Sequence, residues 1–514
     1  MIHTPATNSA FEKRIKRQVI GKPHRFQAVV PLGFEKTLAH ELSSILKNGD
    51  SVKTPDTNSL PHVTGDGKVE FTAKITDAWK AVACSRIANR ILMHIADFKA
   101  ENFRNFEKKA AEIPWELYLD ERTGSVQQAI DEKSNPTNSN NVARNTINIH
   151  VTCRHSRLYH SDAVAERLQN IIEGERRLAP AVTASATPSA GTPRNTPFKV
   201  ILAKAGNSNP IKNFEQHLYV TFLDDRCTIW LDLAGEELYR RGHERFVNDA
   251  PLKETIAAAM IFEAQSIIQN SSNQSHHIFT QDTPFRATLF DLMAGSGTFS
   301  LEAAYMANGF IPGICRDFAL KHQPAFKEAT WKFLTRRENG QSPTDERLEV
   351  AAATITKIVT SDISEHAIEI IRHNVECSPL ASFAPNGNSP TITPQLRDFF
   401  SYTSKEIAGL CGDTSPILVL NPPYGKRLDF DAPKLYTKIG RHLASLASGL
   451  RQLGKFFSVA ILVPKDDTRD GARYTCTANL LRECPALSPE NNAAAKHIVT
   501  SHGGLTLNVL IAKI

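Results

Sequence analysis

The stretch ILVLNPPYG, at residues 417–425, determines how the second half of the chain can fold. Its four leading apolar residues are typical of a buried strand in a parallel sheet. Pro422 and Pro423 have no backbone N–H and a fixed φ, so they cannot continue a central strand. The strand therefore ends before Asn421, and a stiff loop follows at its carboxyl end. Open α/β sheets bind ligands at that edge, so the stretch predicts a ligand site on a doubly wound sheet.

The NPPY residues favour one kind of chemistry. The side-chain oxygen of Asn421 and the carbonyl of Pro422 are acceptors that together can hold both hydrogens of an exocyclic amino group. A nucleobase amine is a weak nucleophile, and two such acceptors favour a pyramidal nitrogen whose lone pair faces an electrophile. Tyr424 can stack on the base. The alternative is an ordinary turn after a strand.

A second motif, TLFDLMAGSGTFSLEAA at residues 288–304, predicts a cofactor-binding corner. A short apolar strand ends at Asp291, and a helix follows a turn in which Gly295 and Gly297 let the backbone approach a ligand closely. The dinucleotide fingerprint needs a third glycine where this chain has Ser300, which disfavours an NAD site. No Lys-Ser or Lys-Thr pair follows the glycines, so the motif is not a P-loop.

Two more strands are predicted to end in acidic residues. IVTSD at residues 358–362 places Asp362 where it can bind a ribose hydroxyl pair. It lies much further from the glycines than the usual ~20 residues, which predicts a long insertion at about 305–352. Asp398 follows the next strand and can accept a hydrogen bond from an adenine amine, although a loop-capping role explains it equally well.

The rest of the chain suggests several α/β units. Residues 26–100 alternate strands and helices in a way typical of a ferredoxin-like unit, and polar stretches at 131–146 and 180–197 are expected to be surface insertions. Residues 455–463 and 506–512 predict two late strands that pair with each other. The predicted division is a basic flexible tail at 1–25, a ferredoxin-like domain at 26–100, a second α/β domain at 101–235 and a Rossmann-like domain at 246–514.

Composition narrows the class of protein. The chain has 514 residues, of which 41% are hydrophobic and 22% charged, as expected for a soluble protein of several domains. No apolar run reaches the ~18 residues of a membrane span, and the N-terminus lacks the apolar core of a secretory signal. Eight cysteines without a CxxC pair predict reduced thiols in a cytoplasm. Cys153, His155 and His160 have no second ligand pair to complete a zinc site.

Charge does not by itself indicate a nucleic-acid-binding protein, because the net charge is only +6. Residues 1–25 contain six Lys or Arg residues and one acidic residue, so they are either an arm that contacts phosphates or a solvated terminus. The basic stretch RRGHER at 240–245 is likewise either a phosphate contact or a solvated linker.

Four motifs together resemble the S-adenosylmethionine-dependent amino-methyltransferases: DLMAGSGTFSLEAA, SDISEHAIEIIRHN, RDFF and LVLNPPYGKRL. The flanking APLKETIAAAM and the insertion IPGICRDFALKHQPAFKEATWKFL are similar to the bacterial 23S ribosomal RNA guanine-N2 methyltransferases that carry a THUMP domain. The N-terminal half is similar too, from FQAVVPLGFEKTLAHEL to LYRRGHERF, so the resemblance covers about residues 26–514.

The resemblance implies a C-terminal Rossmann-like methyltransferase domain preceded by ferredoxin-like and THUMP α/β domains that bind RNA, with the THUMP domain at 101–235. The implied cofactor is S-adenosyl-L-methionine. The residues implied at its methionine and ribose side are Asp291, Ala294, Gly295, Ser296, Gly297 and Thr298. Asp362 would bind the ribose hydroxyls, Asp398 the adenine, and Asn421, Pro422, Pro423 and Tyr424 the target amine.

The implied reaction is methylation of the N2 amine of a guanine in RNA, with 23S rRNA or a pre-ribosomal particle as partner, in the cytoplasm and without membrane or metal. Some relatives carry a second methyltransferase domain, which this chain is expected to lack after Ile514. The alternatives are a transfer-RNA guanine-N2 methyltransferase, a DNA adenine-N6 methyltransferase and a non-catalytic RNA-binding assembly factor. A pyrimidine C5 enzyme would need a cysteine nucleophile, and Cys411 lies before the strand that leads into NPPY.

Overall fold

The structure is a computed structural model of the 514-residue chain. It describes residues 7–46, 60–119, 145–178, 198–202, 215–247, 251–274, 286–336, 354–382, 390–424, 431–466 and 475–514. Its strands form two sheets, one in each half of the chain, and helices pack on both. The prediction of a mixed α/β protein is confirmed.

The first half forms one mixed sheet of eight strands. These strands are β1 (Pro23–Val29), β2 (His62–Gly65), β3 (Lys68–Lys74), β4 (Arg90–Lys99), β5 (Asn145–Arg154), β6 (Phe198–Leu202), β7 (Glu215–Leu223) and β8 (Arg226–Asp232). Their order is β2-β3-β1-β4-β8-β7-β5-β6, and only the pairs of β5 with β6 and β7 are parallel. Because β4 pairs with β8, with Met93 opposite Leu231, the ranges predicted as two units share a single sheet.

Four of the described helices lie against this sheet, and their apolar faces explain where they pack. They are Glu35–Leu46, Ile75–Cys84, Phe103–Ala111 and Ser161–Leu178. Phe106 and Leu168, from the third and fourth of these helices, are fully buried against Val220 of β7 in a core that belongs to the β5–β8 side of the sheet.

The predicted flexible tail at 1–25 is wrong for its described part. Residues Thr7–Ile15 form an α-helix, a short π-helix continues to Ile20, and β1 begins at Pro23. Ile15 and Val19 are buried because apolar residues four apart lie on one face of a helix. The count of charges showed that this segment is basic, but it did not show that its apolar residues lie on one face of a helix.

The second half forms a seven-stranded sheet. Its strands are β9 (Arg286–Asp291), β10 (Thr354–Asp362), β11 (Gln395–Leu396), β12 (Ser415–Leu420), β13 (Ser458–Pro464), β14 (Lys496–His502) and β15 (Leu505–Lys513). The order is β11-β10-β9-β12-β13-β15-β14, with the first five strands parallel and β15 antiparallel to both neighbours. In chain order the parallel strands run 3-2-1-4-5, which is the doubly wound arrangement. The predicted Rossmann-like domain and the pairing of the two late strands are confirmed.

Helices cover both faces of this sheet, as parallel strands require. They are Glu254–Gln274, Thr298–Ala307, Glu328–Leu334, Glu365–Glu376, Ser404–Cys411, Ala432–Gln452 and Cys476–Glu483. The helix Glu365–Glu376 begins with Ser364 as its N-cap, since the Ser364 side chain accepts from the N–H of Ala367. None of the described helices is long and apolar enough to cross a membrane.

The two halves share one continuous apolar core. The described part of the predicted insertion, up to residue 336, helps to join them, since the N–H of Leu320 donates to the carbonyl of Leu233 at 3.0 Å. The Arg316 guanidinium also donates to backbone carbonyls of the segment that follows β8, including that of Glu236 at 2.7 Å. This packing fixes the first half of the chain relative to the second.

Candidate cofactor and amine site

The ends of three adjacent parallel strands bring three polar side chains to one edge of the second sheet. Asp291 is the last residue of β9, and the strand register pairs it with Thr360 of β10 and with Val419 of β12. Asp362 lies two residues after Thr360, and Asn421 lies two residues after Val419. The two residues therefore follow the strands on either side of Asp291. This is the edge at which doubly wound sheets bind ligands.

Asp398 joins the same edge from β11. The register pairs Leu396 with Asp362, and the N–H of Arg397 donates to the Asp362 carbonyl at 2.9 Å. Asp398 follows directly, and its Oδ1 accepts from the N–H of Phe400 at 3.0 Å, which caps a 3₁₀ turn. The loop-capping role that the sequence left open is therefore present.

The glycine turn between β9 and the helix Thr298–Ala307 has the conformation that only glycine adopts easily. Gly295 has a φ of 54° and Gly297 a φ of 75°. The N–H of Gly297 donates to the carbonyl of Ala294 at 2.7 Å and closes the turn. A Cβ at Gly295 would meet no described heavy atom within 4 Å, so the turn has open space on that side, whereas a Cβ at Gly297 would lie 3.1 Å from Ile371.

Asp362 holds the turn from the neighbouring strand. Its Oδ2 accepts from the N–H of Gly295 at 2.8 Å, and its Oδ1 accepts from the N–H of Ser364 at 2.9 Å. The adjacent carbonyl of Ser361 accepts from the N–H of Ala294 at 3.1 Å. Each carboxylate oxygen can accept more than one hydrogen bond, so Asp362 can hold the turn and still receive a ribose hydroxyl.

The position at which the dinucleotide fingerprint has a third glycine has its own structural role here. The hydroxyl and N–H of Ser300 donate to Asp291 Oδ2 at 2.7 and 3.1 Å, and the hydroxyl also lies 2.8 Å from that of Thr360. Asp291 is fully buried, and burial together with the nearby Asp362 raises its pKa to about 7, against the two bonds from Ser300. Among the described residues Asp291 Oδ1 has no hydrogen-bond partner, so it can accept from a ligand.

The NPPY loop presents two more polar atoms of this kind. Asn421 Oδ1 and the Tyr424 hydroxyl are buried atoms without a hydrogen-bond partner in the part of the chain that the structure describes. Burial raises the pKa of Tyr424 to about 12, so the phenol is protonated at neutral pH. An unsatisfied buried polar group costs about 1–3 kcal/mol. A ligand at this edge of the sheet can supply the missing partners.

The basic stretch at 240–245 was predicted to be either a phosphate contact or a solvated linker. Both predictions are wrong for two of its arginines, which are buried in ion pairs. Arg241 is 4% exposed and binds both oxygens of the buried Glu302 carboxylate, at 2.9 and 3.1 Å. Arg245 pairs with Glu254, and its Nη2 donates to Thr298 Oγ1 at 2.8 Å. Local charge could not reveal these partners, because a sequence window around the arginines does not show which carboxylates the fold brings to them.

The sequence also did not indicate that Asn374 supports the site. It is fully buried, its Oδ1 accepts from the N–H of Phe246, and its Nδ2 donates to the carbonyls of Phe246 and Ser296 at 2.9 and 3.0 Å. This amide ties the segment that carries Arg245 to the glycine turn. The only available signal was its position in the helical motif SDISEHAIEIIRHN.

One group of potential metal ligands exists among the described residues, formed by Glu244, His373 and Cys377, whose ligand atoms all lie within 4.8 Å of one another. Glu244 is exposed, and the His373 ring stacks on Phe246 at a centroid distance of 3.8 Å. Cys377 Sγ lies 3.4 Å from His373 Nε2, so two of the three potential ligands contact each other.

The fold is shared with solved proteins that are described as a methyltransferase and as a methylase. A protein described as a methyltransferase, solved with S-adenosylhomocysteine (SAH), matches with a TM-score of 0.59 at 20% identity, over 96% of this chain and 98% of its own. A protein from Clostridium difficile described as a methylase matches with a TM-score of 0.58 at 20% identity, over 96% and 98%. These likenesses show a common fold over nearly the whole chain.

Comparison of sequences identifies a more specific resemblance. Residues 281–383 match the RMKL-like methyltransferase domain. The chain is similar to the ribosomal RNA large subunit methyltransferase K/L of Psychrobacter cryohalolentis, at 26% identity over 75% of this chain and 44% of the relative. The protein of the same name from Hydrogenovibrio crunogenus is 22% identical over 91% and 54%. The predicted resemblance to large-subunit ribosomal RNA methyltransferases is confirmed, although the chain spans about half the length of these curated relatives. The THUMP assignment at 101–235 stays a prediction.

Proposed function

We propose that the protein uses S-adenosylmethionine to methylate the exocyclic N2 amine of a guanine in RNA, and that the RNA of the large ribosomal subunit is its substrate in the cytoplasm. The observation that carries this proposal is Asn421 Oδ1, a buried acceptor without a described partner at the carboxyl end of β12. It lies at the same sheet edge as the acidic residues that fit the cofactor.

The residues present fit S-adenosylmethionine, which supplies an electrophilic methyl group when bound. Asp291 offers a free buried oxygen for a cationic amino group, and the turn at Gly295 leaves space for a ligand to approach the backbone. Asp362 and Asp398 each have acceptor capacity left for the ribose hydroxyls and the adenine amine. All four residues lie at the ends of neighbouring strands or in the turn between them.

Asn421 and Pro422 are proposed to orient the target amine. Their oxygens would each accept one amino hydrogen and so turn the nitrogen lone pair toward the methyl group. Tyr424 is half-buried beside them and is proposed to stack on the guanine. The reaction then depends on orientation and polar contacts, which can supply several kcal/mol without a strong base.

The RNA substrate is supported by the names of the relatives and by the predicted THUMP domain. Methylation of a base inside folded RNA requires that the nucleotide be unstacked and turned into the site. The first half, with the predicted ferredoxin-like domain at 26–100 and the THUMP domain at 101–235, is proposed to hold the surrounding RNA meanwhile. It is fixed to the catalytic half through the shared core.

The test is methyl transfer from labelled S-adenosylmethionine by the full chain to three unmodified substrates in parallel: large-subunit ribosomal RNA, a transfer-RNA pool and double-stranded DNA. We expect label in the ribosomal RNA alone. Transfer to the transfer RNA would indicate a transfer-RNA methyltransferase instead, and transfer to DNA adenine would indicate a DNA adenine-N6 methyltransferase. RNA binding without transfer to any substrate would indicate a non-catalytic assembly factor.

A further inference from the structure

Arg245 lies beside the glycine turn with one part of its guanidinium unused. Nη1 donates to the Glu254 carboxylate, and Nη2 donates to Thr298 Oγ1 at 2.8 Å and to Ser296 Oγ at 3.3 Å. Nε is buried and has no hydrogen-bond partner among the residues that the structure describes. The side chain is 10% exposed, so solvent is a poor substitute for that partner.

This arrangement is unusual in energetic terms. A buried charged group normally satisfies all its donors, and an unmade hydrogen bond on such a group is costly. Arg241, four residues earlier, shows the ordinary case: its Nε and both Nη atoms bond to Glu302 or to backbone carbonyls. The contrast between two buried arginines of one segment indicates that the Nε of Arg245 is completed by a group outside the described residues.

The missing group must be a hydrogen-bond acceptor, and the turn itself indicates which one. Asp291, just before the turn, has a buried carboxylate oxygen without a described partner, and Arg245 contacts the turn with an unpaired N–H. An acceptor that can receive an ammonium and a donor that can bind a carboxylate are what an α-amino acid requires at its polar end. S-adenosylmethionine ends in that group.

We infer that Arg245 binds the carboxylate of the cofactor's amino-acid end through Nε, an inference that rests on the proposed function. An RNA phosphate fits less well, because Arg245 is buried and held between Glu254 and the turn, while the side chain of Arg240, five residues earlier, is 61% exposed. Glu254 then fixes the guanidinium plane, and the hydroxyls of Ser296 and Thr298 set its position against the turn.

The experiment compares two ligands that differ only in the carboxylate: S-adenosylmethionine and decarboxylated S-adenosylmethionine. Their dissociation constants are measured by calorimetry for the full-length wild type, Arg245→Gln and the control Arg241→Lys. We expect Arg245→Gln to weaken S-adenosylmethionine binding by about 10- to 150-fold, the worth of one hydrogen bond to a charged group. Binding of the decarboxylated ligand should change less than about threefold.

The outcomes separate this inference from the proposed function. Equal weakening of both ligands by Arg245→Gln would mean that Arg245 only supports the fold, and unchanged binding of both would mean that it has no part in the site. Either result overturns the inference while the proposed function stands. If Arg245→Gln does not fold, Arg245→Lys replaces it, and wild-type protein that binds both ligands equally well overturns the inference without any variant. Wild type that binds neither ligand contradicts the proposed function itself.

Discussion

Asp362 Oδ2 accepts a hydrogen bond of 2.8 Å from the backbone N–H of Gly295. The carboxylate that ends β10 therefore holds the turn that follows β9. One residue can in this way shape the backbone of the cofactor turn and contribute an acceptor to the cofactor itself. Preorganisation of this kind reduces the entropy lost on binding.

Asp362→Ala should weaken cofactor binding by about 10- to 150-fold, since the proposed ribose site loses a charged acceptor and the turn loses its anchor. Calorimetric titration with SAH measures the change. Asp225→Ala is a suitable control, because it removes a carboxylate that accepts from the backbone N–H of Arg157 at 2.7 Å in the first half of the chain. Unchanged SAH affinity in Asp362→Ala would show that Asp362 serves only the protein.

Asn421→Ala should lower turnover by roughly 10²- to 10³-fold, as expected when one preorganised polar group is lost from a reaction site. SAH affinity should stay within about twofold, because the acceptor is assigned to the amine and not to the cofactor. Single-turnover methyl transfer and calorimetry on one preparation separate the two effects. Asn479→Ala removes an amide that bonds to the Thr475 hydroxyl at 3.1 Å and serves as control. Turnover near that of the wild type would refute the amine role.

The two glycines of the turn should respond differently to the same substitution. Each has a positive φ, which costs roughly 1–2 kcal/mol for alanine. Gly297→Ala should lower the melting temperature more, since its Cβ would lie 3.1 Å from Ile371, whereas Gly295→Ala should reduce SAH affinity more, since its Cβ would enter the open space of the turn. Thermal unfolding and SAH titration of both variants give a crossed comparison. If one variant lowered both the melting temperature and the SAH affinity more than the other variant did, the assigned roles of the two glycines would be contradicted.

Replacing Arg241 in the Arg241–Glu302 ion pair should cost about 3–5 kcal/mol of stability. The buried Glu302 carboxylate would keep only the longer ion pair with Arg86, at 4.0 Å. The Arg241 side chain is 2% exposed and that of Glu302 is 0% exposed. Urea unfolding of Arg241→Met measures the loss, and the double variant Arg241→Met with Glu302→Leu should recover much of it. The exposed Arg240→Met is the control, expected to change stability by less than about 0.5 kcal/mol. A single variant as stable as the wild type would show that the pair is dispensable.

The strand ends that form the site were predictable because each is a local pattern. An apolar run followed by a residue that stops the strand, as at Asp291 and Asn421, shows both the strand and its carboxyl end. Parallel pairing then brings such ends to one edge without any knowledge of the side chains between them. The glycines were predictable for the same reason, since the turn itself requires them.

Other features depend on contacts between segments that a sequence window does not show. The pairing of β4 with β8 joins two predicted units into one sheet, and the partner of Arg241 is separated from it by 61 residues. Asp398 illustrates a further limit, because one carboxylate can cap a turn and still face a ligand. The sequence indicated two roles for Asp398, binding an adenine amine and capping a loop, but it could not decide between them.

The central claim is tested most directly by nucleoside analysis of large-subunit ribosomal RNA from a strain that lacks this protein, before and after incubation with the purified full chain and S-adenosylmethionine. Mass spectrometry of the digested RNA should show N2-methylguanosine increasing at one mapped position with the wild-type protein and hardly at all with Asn421→Ala. A modified nucleoside of any other kind, or no gain with the wild-type protein, would contradict the assignment of the amine site.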